Sequence, residues 1–204
     1  FTGAMRHHMA SFLAPSLQVA MNELSNHDHS RFLTRTNHKV GRVANLGYEA
    51  ASQDINVAVM REAVVMQMTW PGAPTIYYGD EAGVCGFTDP DNRRTYPWGE
   101  ENHDLITFHK EMIRIHKACP VLTHGSLKFL EQRHNVLSYG RFSQDEQMVV
   151  AFNNDLNEQT ITLSVWQVNV PQHNCKMECL MLTHAQGYTT EQYFTEVHDG
   201  KIEL

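Results

Sequence analysis

A change of hydrophobic period near Pro120 divides this chain into two parts. Before Pro120, two helical patterns alternate with two short β-prone runs. The order strand, helix, strand, helix is the repeating unit of an α/β fold with parallel strands. After Pro120, short alternating or continuous apolar runs are separated by turn residues, which is typical of antiparallel strands. The sequence therefore predicts an α/β part over residues 1–119 and an antiparallel β-sandwich domain over residues 120–204.

The helical patterns of the α/β part each have an apolar face. In the first, apolar residues recur at helical spacing, and we expect Ser52 to cap this helix with Asp54 in its first turn. It should end before Pro71, and the second helix before Pro120. The apolar positions are Ile55, Val59, Ala63 and Met66 in the first helix and Leu105, Phe108, Met112 and Ile115 in the second.

Shorter patterns complete the predicted elements. We expect a helix over residues 4–13 that is broken at Pro15, and then a strand over 17–25 that leads into a loop. In the second part, residues 160–165 alternate like a half-buried strand, and residues 148–152 form an apolar run that predicts a strand buried on both faces. Asp199-Gly200 predicts a hairpin turn, and only four residues follow it.

Composition argues against several classes of partner. The formal net charge is −7 and no basic stripe is present, so we expect no binding to nucleic acid. No apolar run approaches the roughly 18–20 residues that span a bilayer, so we expect no membrane partner. The four cysteines are scattered, which favours free thiols in a reducing compartment and hence a cytoplasmic location.

A loop of about 24 residues follows the second β-prone run, from Gly79 to about Asn102. Loops longer than about 12–15 residues are uncommon unless they are functional or disordered. This one carries Tyr96 and Trp98 among charged residues, which favours function. We expect Trp98 to be a core residue that closes the loop, with stacking on a ligand as the alternative.

Three segments, in this order and at this spacing, resemble one family. Asn26-His27-Asp28 matches the last short motif of the α-amylase superfamily, and residues 72–81 (GAPTIYYGDE) resemble its eighth barrel strand. Asp89-Pro90-Asp91-Asn92-Arg93-Arg94, followed by Pro97-Trp98, resembles the neopullulanase, cyclomaltodextrinase and α-glucosidase branch. The resemblance implies the seventh and eighth strand–helix units of a (β/α)8 barrel. Two units cannot close a barrel of eight strands, so we expect a C-terminal piece of a longer enzyme, cut at its end as well.

The resemblance also implies roles for individual residues. Asp28 would be the carboxylate that stabilises an oxocarbenium-like transition state, and His27 would donate a hydrogen bond to the same sugar. Asp89 and Arg93 would contact further sugars, or else pair with each other to shape their loop. The remaining substrate-binding candidates are Asn26, which could equally be a turn residue, and Tyr78.

The family's nucleophile and general acid belong to motifs that precede Asn-His-Asp, and residues 1–25 contain neither. We therefore expect the isolated chain to be inactive, although its family hydrolyses or transfers α-glucosidic bonds of maltodextrin-type substrates with retention. The expected partners are an α-glucan or maltooligosaccharide and the upstream part of the same barrel, and a homodimer is left open. No organic cofactor is implied. Calcium, where relatives bind it, belongs to earlier segments, so we place no metal here.

Two other interpretations remain open. The His27-Asp28 pair, with His29, His7 or His8, could hold divalent ions in a metal-dependent phosphohydrolase. Those enzymes resemble helical bundles with the pair on a helix, whereas here a strand-like run precedes it. The β-rich part could instead be a non-catalytic carbohydrate-binding module, but its aromatic residues are too scattered to indicate a binding platform.

Overall fold

The computed structural model describes all residues from 1 to 204, as an α/β part followed by antiparallel strands. The helices are α1 (Thr2–Ala10), α2 (Ala14–Gln18), α3 (Phe32–Arg35), α4 (Val43–Leu46), α5 (Val57–Thr69), α6 (His103–Ala118) and α7 (Val121–His124). The strands are β1 (Met21–Glu23), β2 (Ala73–Thr75), β3 (Ser126–Arg133), β4 (Val136–Phe142), β5 (Gln147–Asn153), β6 (Thr162–Leu163), β7 (Lys176–Glu178), β8 (Leu182–His184), β9 (Gly187–Thr189), β10 (Phe194–Glu196) and β11 (Ile202–Glu203). Single 3-10 turns lie at Glu49–Ala51, Asp91–Arg93 and Val165–Val168.

The predicted parallel strands are present, but the first is shorter than expected. β1 pairs in parallel with β2, and Met21 lies opposite Ala73. The strand predicted over residues 17–25 is wrong at its start, because residues 17 and 18 belong to α2, which has Pro15 in its first turn. Proline suits that position, since its missing N–H would have no partner there.

Side chains from the α5 region hold the two short strands in register. The amide of Gln67 donates to the carbonyls of Asn22 (3.0 Å) and Thr75 (2.8 Å), one on each strand. The amide of Asn22 donates in turn to the carbonyl of Trp70 at 3.1 Å. Because Gln67 bonds both strands, the geometry of the strand pair depends on the position of this helix.

Helices α5 and α6 pack together on the main core. All four apolar positions predicted for α6 are buried. The face predicted for α5 is wrong, because its four positions are only half-buried and the buried apolar side chains of this helix are Met60, Val64 and Met68. The predicted cap of α5 is wrong. Its N-cap is Asn56, whose side-chain oxygen accepts from the backbone N–H groups of Ala58 (3.0 Å) and Val59 (3.1 Å). Asp54 lies outside the helix with a positive φ of 57°.

The second part is antiparallel, as predicted, but its small sheets differ from the expected strands. β3, β4 and β5 form a three-stranded sheet, and the remaining strands form pairs. The prediction that residues 148–152 are buried on both faces is wrong, because Val150 and Phe152 are buried while Ala151 between them is exposed. The turn at Asp199-Gly200 is confirmed by a single bridge between its flanking residues. The segment after it, β11, pairs with β6 rather than with the segment before the turn.

A set of polar contacts joins the end of α5 to the β-sheet. The Thr69 hydroxyl lies 2.6 Å from the Tyr139 hydroxyl, and the buried Arg141 guanidinium donates to the carbonyls of Thr69 (2.7 Å) and Gly125 (2.9 Å). Trp70 packs edge-on against Tyr139, with ring centroids 5.2 Å apart. Burial lowers the pKa of Arg141 to about 10, so the guanidinium remains charged at neutral pH. Both parts therefore meet in one buried contact, and the domain division at residue 120 stays a prediction.

Two other features bear on the expectations from sequence. The longest helices are too short or too polar to cross a bilayer. All four cysteines are free.

Capping of α5 by Asn56 can be tested directly. We expect Asn56→Ala to lower the free energy of unfolding by about 1 kcal/mol, because two N–H groups of the first helical turn lose their acceptor. Ser52→Ala is the matched control, since the Ser52 hydroxyl only donates to the carbonyl of Glu49, and a change within about 0.5 kcal/mol is expected. Urea denaturation followed by circular dichroism measures both, and a larger loss for Ser52→Ala would contradict the assignment.

Candidate functional site

The Asn-His-Asp motif lies in a loop that leaves the carboxyl end of β1. The side chains of His27 and Asp28 are 65% and 66% exposed, and 3.5 Å separates Nε2 of His27 from Oδ1 of Asp28. Because β1 and β2 are parallel, the loop after β1 and the segment after β2 lie at the same end of the sheet. An imidazole and a carboxylate are thus presented together at one strand end, as the sequence predicted.

Asn26 gives this loop its shape. Its side-chain oxygen accepts from the backbone N–H groups of Asp28 and His29, both at 3.0 Å, and its amide donates to the Glu23 carboxylate at 2.8 Å. This is the turn role left open from sequence, because an asparagine side chain can replace a backbone acceptor two residues on. Its predicted contact with substrate stays a prediction.

Asn92 brings the two sequence motifs together. It is fully buried, and its amide donates to the carbonyls of Asn26 (3.1 Å) and His29 (2.7 Å). The turn that carries Asp89 and Arg93 is therefore bonded directly to both sides of the His27-Asp28 dipeptide. Nothing in the one-dimensional pattern reveals this contact, because its partners lie more than sixty residues earlier in the chain.

Arg31 lies behind both loops and links three segments. Its guanidinium is fully buried, and it donates to the carbonyls of Asn92 (2.8 Å) and Tyr78 (2.6 Å) and to the carboxylate of Asp80 (3.0 Å). The guanidinium also lies 4.0 Å from the centroid of the Tyr77 ring. The buried cation thus has an acid, two carbonyls and an aromatic face as partners, which favour its burial, while its Nη2 has no hydrogen-bond partner.

Burial also changes the pKa of Asp80, the acid that is paired with Arg31. Burial raises the pKa of Asp80 above its ordinary value of 3.8, while hydrogen bonds from Ser25 and Arg31 act in the opposite direction. Burial lowers the pKa of Arg35, whereas the charge of Asp80 raises it. The Arg35 guanidinium donates to the carbonyl of Leu24. An acid in this position needs its cationic neighbour, because an unpaired charge in the interior is strongly unfavourable.

A second arginine, Arg94, stabilises the loop that follows β2. Arg94 binds Asp91 through two hydrogen bonds, Nε to Oδ1 at 3.0 Å and Nη2 to Oδ2 at 2.9 Å. It also donates to the carbonyl of Tyr48 at 2.8 Å, and the Tyr78 hydroxyl donates to the carbonyl of Arg94 at 2.8 Å. The Tyr78 hydroxyl therefore stabilises the loop, and its role toward substrate stays a prediction.

The loop after β2 turns tightly at Gly86, which has no side chain. A Cβ at Gly86 would collide with the backbone of Asp91. The N–H of Gly86 donates to the Thr34 hydroxyl at 2.8 Å, and its carbonyl accepts from the N–H of Arg31 at 2.9 Å. The turn is thus tied to the same helix, α3, that follows the Asp28 loop.

Asp89 and Arg93 form an ion pair on the surface of this turn. Nε of Arg93 lies 2.6 Å from Oδ1 of Asp89, and both side chains are half exposed. Neither side chain forms a further ion pair or hydrogen bond in the protein, so both keep free hydrogen-bonding capacity on their exposed part. A carboxylate accepts from hydroxyls and a guanidinium donates to them, so this pair and the His27-Asp28 pair suit a neutral ligand rich in hydroxyl groups.

The metal-site alternative finds no support. The His27-Asp28 pair follows a strand, whereas His7 and His8 lie on α1. No group of three or more His, Cys, Asp or Glu side chains in the chain is arranged to hold a metal ion.

Comparison with known proteins decides the family. The family profile described as "Alpha amylase, catalytic domain" matches residues 3–116. The chain belongs to the α-amylase family. Among its curated relatives, amylopullulanase from Thermoanaerobacter thermohydrosulfuricus is 42% identical over 127 residues. The aligned residues cover 62% of this chain and 8% of that protein. Neopullulanase 2 from Thermoactinomyces vulgaris is 38% identical over 152 residues, 72% of this chain and 23% of that protein.

Solved structures support the same fold. An Anoxybacillus α-amylase aligns with the whole chain and 38% of its own length, at a TM-score of 0.76 and 23% identity. A cyclomaltodextrinase aligns with 96% of this chain and 31% of its own, at a TM-score of 0.69 and 27% identity. The chain thus spans less than two fifths of the length of each of these proteins. The resemblance inferred from the three motifs is confirmed.

The buried Arg31–Asp80 pair and the half-exposed Arg93–Asp89 pair allow a matched test of whether the Arg31 network stabilises the loops. We expect Arg31→Met to lower the free energy of unfolding by about 3–5 kcal/mol, because it leaves Asp80 without its cation in the interior. Arg93→Met is the control, and removal of this half-exposed pair should change stability by less than about 1 kcal/mol. Urea denaturation measures both. Equal, small effects would show that the Arg31 network does not support the loops.

Proposed function

We propose that this chain is the C-terminal part of a retaining enzyme that hydrolyses or transfers α-glucosidic bonds in maltodextrin-type carbohydrates. In this proposal β1 and β2 are the seventh and eighth strands of a (β/α)8 barrel, and residues 120–204 form its C-terminal β domain. The observation that carries it is the contact of Asn92 with the carbonyls of Asn26 and His29, since this contact bonds the loops of both family motifs to each other.

Each exposed group has a chemical role in this reaction. The Asp28 carboxylate accepts hydrogen bonds from the ring hydroxyls of the reacting sugar and favours the positive charge that develops in an oxocarbenium-like transition state. His27 donates to a hydroxyl of the same sugar. Asp89 and Arg93 bind hydroxyls of the sugars that follow, while Asn26 and Tyr78 keep the two loops in place.

The nucleophile and the general acid are supplied, in this proposal, by carboxylates outside these 204 residues. A retaining mechanism needs two carboxyl groups about 5–5.5 Å apart on either side of the scissile bond. Residues 1–25 hold only one acid, Glu23, and its carboxylate accepts a hydrogen bond from Asn26. The short share of each relative that the chain covers agrees with this division of the catalytic groups.

The isolated chain should bind maltooligosaccharide without cleaving it. We expect calorimetric titration with maltoheptaose to show binding that Asp28→Asn weakens about tenfold, because a carboxylate acceptor is worth about 1.5–3 kcal/mol when hydrogen-bonded. Reducing-sugar assays with maltotriose should detect no product, since loss of the nucleophile removes the covalent pathway.

Asp145→Asn is the matched control, because Asp145 is an exposed acid in the β domain. Its affinity for maltoheptaose should equal that of the unchanged chain. Equal affinities for all three proteins would exclude Asp28 from the binding site. Product release from maltotriose would refute the proposed division of catalytic groups.

A further inference from the structure

Trp98 is exposed on the loop that carries the Asp89–Arg93 pair. Its surface is 82% accessible, whereas Trp70 is buried and Trp166 is 50% exposed. The expectation that Trp98 closes the loop as a core residue is therefore wrong. Its indole N–H has no partner in the protein, and the loop is held instead by Asn92, Arg94 and the Tyr78 hydroxyl. An exposed indole with a free N–H can both stack on a ligand and donate a hydrogen bond to it.

Trp98 and Tyr96 form a fixed aromatic pair. Their ring centroids are 4.5 Å apart with planes inclined by 46°, and the N–H of Trp98 donates to the carbonyl of Tyr96 at 2.9 Å. Pro97 lies between them. After the pair, Gly99 adopts a φ of 84°, and its N–H donates to the Glu101 carboxylate at 2.9 Å. Because the turn fixes both rings before any ligand arrives, little conformational entropy is lost on binding.

The charges near this pair select the kind of ligand. Glu100 and Glu101 follow Trp98 after one glycine, and the chain as a whole has a net charge of −7. An acidic surroundings of this kind repels a phosphate backbone. A neutral sugar is compatible with it, because the C–H groups of a pyranose ring carry a partial positive charge that the negative face of an aromatic ring attracts.

The distance along the chain places the pair within reach of the same ligand. Trp98 lies five positions after Arg93, and five residues span at most about 17 Å when extended. A glucan chain bound by Asp89 and Arg93 can therefore extend to Trp98. We propose that Trp98 and Tyr96 form a stacking platform for a pyranose ring of an α-glucan, in addition to the Asp28 and Asp89–Arg93 groups. This inference rests on the proposed function for the identity of the sugar.

The platform can be tested on the 204-residue chain. Trp98→Ala should raise the Kd for maltoheptaose at least about tenfold, which corresponds to 1.4 kcal/mol. Trp98→Phe should retain most of the affinity, because it keeps an aromatic face. Trp166→Ala is the matched control and should leave the Kd unchanged, since Trp166 lies in the β domain. Maltoheptaose should also shift the tryptophan fluorescence of the unchanged chain, and Trp98→Ala should remove that shift.

The remaining outcomes separate this inference from the proposed function. If Asp28→Asn weakens binding and Trp98→Ala does not, the platform is wrong and the proposed function stands. If Trp98→Ala weakens binding and Asp28→Asn does not, the platform stands and Asp28 does not bind the sugar. Absence of binding to the unchanged chain would overturn both. If Trp98→Ala alters sedimentation of the chain without changing the Kd, a second copy covers the ring and the platform is wrong.

Discussion

The candidate site depends on one buried cation, the guanidinium of Arg31. It bonds the carbonyl of Asn92, the carbonyl of Tyr78 and the carboxylate of Asp80, so three segments that are distant in sequence converge on it. A guanidinium suits this position better than an ammonium group, because its planar shape directs several donors outward and also stacks on an aromatic ring. Without such a partner set, burial of the charge would oppose folding rather than direct it.

This arrangement separates the groups that hold the site from those that face a ligand. Arg31, Asn92 and Asp91 are buried, and their partners are backbone groups of the surrounding loops and the side chains of Asp80 and Arg94. His27 and Asp28 are exposed, and their loop is shaped by bonds to its backbone rather than to their side chains. The exposed polar groups consequently keep their hydrogen-bonding capacity for hydroxyl groups in solution, while their backbone is fixed from behind.

The sequence predicted those features that depend on local pattern. The face of α6, the parallel strand order and the loop position of Asp28 follow from periodicity, Gly and Pro, and all are present, whereas the apolar face predicted for α5 is only half-buried. The cap of α5 was misplaced because both Ser52 and Asn56 are good N-cap residues, and the path of the preceding chain decides between them. The roles of Asn92 and Arg31, and the exposure of Trp98, depend on contacts across many residues, which no local pattern encodes.

The β-rich part after residue 120 also contributes to the geometry of the site, although it lies outside it. Tyr139 and Arg141 bind the last residue of α5, Thr69, through its hydroxyl and its carbonyl. One half-turn earlier in the same helix, Gln67 bonds both β1 and β2. Because Gln67 and Thr69 lie on one helix, hydrogen bonds link the sheet of β3, β4 and β5, the end of α5 and the two parallel strands into one support for the Asp28 loop. The β-rich part therefore has a structural role beside the α/β part.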